Sequence, residues 1–176
     1  TPARAKLCVD ASEHTVAAME LLEPRDLSVY IGIPFCPSRC AYCSFVSESV
    51  ERFGEFLPPY LDCLLREVEY TGRLLRESGR HIRTLYMGGG TPTTLSAAQM
   101  ARLLDAVNTH FDLSRCLEFT VEGGRPDTLD AEKLRVIKEG GATRISINPQ
   151  TMSDTVLRAV GRRHSAASFF YVFRQE

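Results

Sequence analysis

Four times along the chain a short β-patterned run gives way to a stretch of helical periodicity, and this alternation narrows the possible folds more than any other feature. The runs are Leu27–Ile33, Ile82–Met87, Leu117–Glu122 and Thr143–Asn148, each rich in β-branched or aromatic residues. Helical spacing runs over Pro59–Ser78 through Leu61, Leu64, Leu65 and Val68, over Ser96–His110 through Met100, Leu103, Leu104 and Val107, and over Asp130–Glu139 through Leu134 and Ile137. Ser96 with Gln99 forms a capping-box pattern, Asp130 and Ser153 are N-cap candidates, and Gly79, Gly140 and Gly161 stand where helices stop. Such alternation calls for right-handed crossovers and a parallel sheet, flat or closing into a barrel, so the class is α/β.

A length of 176 residues suits one domain. Residues 1–26 read as a leader, partly helical around Val16–Leu22, and residues 27–176 as the α/β domain. No initiator Met is present. The last helical pattern, Ala166–Phe173, runs on to Glu176 with no return strand, which reads as a chain cut short after about four βα units. The 21 basic and 22 acidic side chains leave a net charge of −1, which argues against a general nucleic-acid binder. No apolar run approaches the roughly 18 residues of a membrane span, and no secretory signal opens the chain. Three of the six cysteines fall within eight residues, a clustering that favours a metal site in a reducing compartment over disulfides, hence a cytoplasmic protein.

Ligands of parallel α/β folds bind beyond the carboxyl ends of the strands, and all four segments there carry unusual residues. The first holds Cys36, Cys40 and Cys43 in C-x3-C-x2-C spacing, a pattern suited to an iron–sulfur cluster, with structural zinc or plain buried thiols as the alternatives. The second, Gly88-Gly89-Gly90-Thr91-Pro92, is a loop that lets backbone approach a ligand, or simply a flexible turn. Glu122 ends the third strand, placed for an ammonium or ribose hydroxyls, or for solvent. Gln150 follows the fourth. Arg162 and Arg163 come after a short helix and either reach carboxylates or balance its dipole. Cys8, Cys63 and Cys116 lack local partners and read as buried or half-buried small residues.

Taken together, YIGIPFCPSRCAYCSF, LYMGGGTPTTLS, EFTVEGGRPDTL, RISINPQTM and VGRRHS resemble the radical S-adenosylmethionine (SAM) superfamily, and within it the oxygen-independent coproporphyrinogen III oxidase family. The resemblance implies the amino-terminal portion of a partial (β/α) barrel over 27–176. It implies a [4Fe-4S] cluster on Cys36, Cys40 and Cys43 with SAM on the unique iron. Tyr42 would lie against the adenine, Gly89, Gly90 and Thr91 would hold the methionyl end, and Glu122 and Tyr30 would add contacts. Gln150 and Arg162 match positions that touch a second SAM in some relatives. A bulkier residue at Gly89 is then expected to block SAM yet spare the cluster.

The implied reaction is oxidative decarboxylation of coproporphyrinogen III propionates, with a tetrapyrrole substrate and an electron donor such as a flavodoxin or ferredoxin. Arg39, Arg125, Arg162 and Arg163 are the candidates to receive substrate carboxylates. Relatives with established decarboxylase activity carry a further cysteine where this chain has Phe45. Haem-binding paralogues without decarboxylase activity share the same motifs and form the alternative, in which His164 is the one histidine near the mouth. A zinc-stabilised α/β binding module is the second alternative.

Overall fold

The computed structural model describes residues 1–174, so the expectation that the last helix is still running at Glu176 lies outside them. The chain opens with α1 (Pro2–Met19), an 18-residue helix with no buried residue. Proline in its first turn, good helix formers from Ala3 onward and a Lys6–Asp10 pair at i,i+4 support it. The apolar cue at Val16–Leu22 therefore misplaces this helix: it starts at Pro2, and Leu21 and Leu22 lie beyond its end.

The main sheet contains β1 (Asp26–Ile33), β4 (His81–Gly89), β5 (Glu118–Glu122) and β6 (Arg144–Ser146), all parallel and in the order β1-β4-β5-β6. Between the first two lie β2 (Phe35–Cys36) and β3 (Glu48–Ser49), which pair in parallel as a separate two-stranded sheet, then the single turn α2 (Val50–Phe53). These two-residue strands carry no periodicity and leave no trace in the sequence pattern. The fourth run, expected to reach Asn148, pairs only through Ser146, whose carbonyl accepts from both Gly123 N and Gly124 N where the chain turns out of β5.

The crossovers are α3 (Leu57–Ser78), α4 (Ala97–His110) and α5 (Ala131–Glu139), followed by α6 (Asp154–Ala159) and α7 (Ala166–Phe173). Each crossover helix has a recognisable boundary. Prolines open α3 and Gly79 closes it in the left-handed conformation, Ser96 and Gln99 form a reciprocal capping box on α4, and Asp130 caps α5 through Lys133 N.

Strand parity separates two chemistries. Ile31 and Ile33, Leu85 and Met87, Phe119 and Val121 are buried and form one core with Leu61, Leu64, Met100, Leu104 and Ile137 of the helices. Registered rows of the opposite parity cross the sheet: Ser28 beside Thr84 beside Glu118, then Tyr30 beside Tyr86 beside Thr120 beside Arg144. A parallel sheet covered by helices on both faces would be apolar on both. Here one face is polar, and each strand is added on the same side of the last, the winding of a barrel wall rather than of a sheet whose order reverses.

Candidate functional site

The cysteine motif begins at the top of the minor sheet, where Cys36 ends β2, and all three thiols are free. Cys40 is buried, while Cys36 and Cys43 are partly exposed. The loop is held by backbone bonds from Cys43 N to Cys40 O (3.1 Å) and from Ala41 N to Val160 O (3.0 Å), so the segment after α6 packs against it. Thr91, only 2% exposed, puts its hydroxyl 3.4 Å from Cys36 Sγ.

The glycine loop is built onto the end of β1 and the start of β2. Gly90 N donates to Ile33 O and Thr91 N to Phe35 O, each at 2.8 Å. A Cβ at Gly89, whose φ is +113°, would lie 2.8 Å from Ile33 N, and one at Gly90 would lie 2.7 Å from Phe35 O and 3.0 Å from Cys36 Sγ. The expectation that a larger residue at Gly89 would only block a ligand is thereby corrected: it would first collide with the β1 backbone.

Glu122 accepts from Tyr86 Oη (3.5 Å) and Asn148 Nδ2 (3.3 Å). Burial pushes its carboxyl above the ordinary range, and those two hydrogen bonds only partly oppose this. Tyr30 stacks on Tyr86 with centroids 5.8 Å apart. Tyr42 Oη accepts from Nε (3.2 Å) and Nη2 (3.0 Å) of the buried Arg162, whose Nη1 reaches Gly124 O at 3.4 Å.

A cavity of about 100 Å³ is lined by Cys36, Cys40, Cys43, Tyr42, Gly90, Thr91, Glu122, Gln150 and Arg162. Tyr30 and Gly89 belong to an adjoining cleft of about 660 Å³, which shares Glu122 and Phe45 with the first and adds Tyr60 and Tyr86. Gln150, exposed at the rim, has φ +63°.

The arginines divide sharply. Arg125 is 2% exposed and already bidentate to Asp127, Arg163 pairs with Glu51, and Arg162 holds Tyr42. Arg125 is therefore not a receiver of outside carboxylates, and among the described residues only Arg39 of the four makes no ion pair or side-chain hydrogen bond while lining the cavity. His164 is buried, with Nε2 3.2 Å from Pro149 O and Nδ1 3.7 Å from Asp127 Oδ1, so it faces inward rather than to the mouth. Cys8 and Cys63 are exposed, contrary to expectation, because α1 buries nothing and Cys63 lies off the Leu57, Leu61, Leu64, Val68 stripe of α3.

The donor set fits an iron–sulfur cluster. Three free thiols edge one cavity, next to a carboxylate and an amide oxygen suited to a small polar cofactor.

The radical SAM superfamily model matches residues 30–174. This chain belongs to the radical SAM superfamily. Membership of that superfamily implies a [4Fe-4S] cluster and SAM. It is 41% identical over 141 residues to the oxygen-independent coproporphyrinogen-III oxidase-like protein HemZ of Bacillus subtilis, covering 80% of this chain and 28% of that protein. It is 38% identical over 149 residues to the heme chaperone HemW of the same organism, covering 84% and 38%. The solved coproporphyrinogen III oxidase HemN of Escherichia coli superposes with a TM-score of 0.75 at 30% identity, over 86% of this chain and 34% of that one. The chain thus spans about a third of the length of these radical SAM relatives.

Sequence reasoning missed Ser38, Tyr86, Asp127 and Lys133. Tyr86 had a signal, since it alternates with Met87 on β4 and falls in register with Tyr30. Ser38 and Lys133 are recognisable only from contacts made across the fold, and Asp127 only from its bidentate bond to Arg125, two residues before it.

Proposed function

We propose that this chain forms the cluster- and SAM-binding part of an oxygen-independent coproporphyrinogen III oxidase, which oxidatively decarboxylates propionate side chains of the tetrapyrrole to give protoporphyrinogen IX. The observation that carries the reading is the meeting of the cysteine triplet, Gly90-Thr91 and Glu122 on one cavity, opening beside an aromatic cleft lined by Tyr30, Tyr60, Tyr86 and Phe45. Cys36, Cys40 and Cys43 would hold the cluster. Gly89, Gly90, Thr91, Glu122, Tyr30 and Tyr42 would hold one SAM. When bound, these groups supply the one-electron chemistry that removes a substrate hydrogen.

The chain's own residues do the rest. Thr91 fixes the Cys36 side, Glu122 offers an acceptor to an ammonium or ribose, and the aromatic cleft offers apolar walls to a tetrapyrrole. A second SAM at Gln150 and Arg162 would compete with Tyr42 and Gly124 for the Arg162 donors, which favours one. Arg39, with its guanidinium unspent, is the candidate for a substrate carboxylate. The electron donor would be of the flavodoxin or ferredoxin type, and six free cysteines suit a reducing, cytoplasmic setting.

A heme chaperone is the second reading, favoured by Phe45 in place of a cysteine and by the likeness to HemW proteins. The inward placement of His164 removes it as an axial ligand. Anaerobic turnover of the full-length protein with coproporphyrinogen III, SAM and a reductant tests the choice. Release of CO₂ with 5′-deoxyadenosine, slowed by Arg39→Ala, is the expected result. Stoichiometric haem binding without CO₂ would decide for the chaperone.

A further inference from the structure

The three residues between Cys36 and Cys40 are held at their midpoint from outside the loop. Arg125 Nη1 donates to both the carbonyl and the hydroxyl of Ser38, at 3.2 and 3.0 Å, and the same hydroxyl reaches Gly161 O at 3.5 Å. Burying a guanidinium is costly unless every face is answered. Asp127 answers the other edge, accepting from Nε at 3.1 Å and from Nη2 at 2.9 Å.

The arginine is itself anchored. Thr128 Oγ1 donates to Arg125 O (2.8 Å), Thr93 Oγ1 donates to Gly123 O (2.7 Å), and the buried Lys133 ammonium donates to Thr93 O and Thr128 O, each at 2.7 Å. One polar brace therefore joins the loop after β4, the loop after β5 and the cysteine loop. Among the described residues only Arg125 carries it to the residue between two thiols.

We infer that Arg125 is a positioning residue for the iron–sulfur ligands: its fork fixes the Cys36–Cys40 crossing before iron and sulfide arrive and retains it afterwards. The inference rests on the cluster reading above. A lysine cannot replace it, because one ammonium does not span Asp127 and both polar atoms of Ser38.

The test uses the full-length protein reconstituted anaerobically with ferrous iron and sulfide. Wild type, Arg125→Met, Arg125→Lys and Val107→Ala are compared by the rate of iron release to a chelator and by the EPR spectrum of the reduced cluster. Val107, fully buried on α4, reports a loss of stability unconnected with the brace. Both Arg125 variants are expected to release iron about tenfold faster than wild type, with a shifted EPR spectrum, while Val107→Ala releases it at the wild-type rate despite a lower melting temperature. Should Arg125→Met fail to fold, Ser38→Ala reads the same contact and is expected to release iron about threefold faster. Release rates and spectra indistinguishable from those of Val107→Ala would overturn the role of Arg125. A wild-type protein that takes up no iron and sulfide would overturn the cluster reading, and the inference with it.

Discussion

Glu122 carries an ionisable group at a depth where ionisation is disfavoured, and this has a signature in solution. Its folded pKa lies above its unfolded one, so the native state holds the proton more tightly. Its contribution favours folding at low pH and declines as pH rises from the ordinary value of 4.5 through the folded value. Glu122→Gln is expected to flatten that decline in melting temperature, and parallel curves for the two proteins would contradict it. Gly89 makes a different prediction. Because a Cβ there meets the Ile33 backbone at φ +113°, Gly89→Ala is expected to lose stability, with about 1–3 kcal/mol from backbone strain alone. A urea midpoint unchanged in the cofactor-free protein would return the glycine to a purely ligand-facing role. The cysteine spacing, Thr91 and Glu122 were legible as odd residues just past strand ends. Ser38 was not, because its partners stand 87 and 123 residues away, and Arg125 showed its charge in the sequence but not that Asp127 already held it.

Among the elements, the crossover helices followed their apolar spacing and their caps closely, since each signal is local. Ser96→Ala should cost about 1 kcal/mol through loss of the α4 cap. Lys133→Met on α5 should cost more, about 1.5–3 kcal/mol, because it strips the charged donor from two carbonyls at once. Urea unfolding of both variants checks the order, and a smaller loss at Lys133 would show that water replaces its ammonium. What escaped the sequence at this scale was α1, which forms on helix propensity with no apolar stripe, and the minor sheet, whose pairs are shorter than one period of any pattern.

Across the whole molecule, protection should follow position in the sheet. β4 is bonded on both sides, β1 and β6 on one each, and α1 buries no residue. Hydrogen exchange is therefore expected to be slowest in β4 and fastest in α1, and equal protection of α1 and β4 would contradict the architecture. The polar face of the sheet and the unreversed strand order made the barrel wall legible only once register was known, because sequence periodicity cannot say which neighbour a strand takes. The brace at Ser38 has a further consequence in time. Arg125 and Gly161, which hold the midpoint of the cysteine loop, leave the ribosome 87 and 123 residues after it. At about 5–20 residues per second, the thiols wait several seconds or longer without their mould. The ligand loop is thus made well before the residues that set it, and iron delivered in the interval would meet cysteines still free to take other partners.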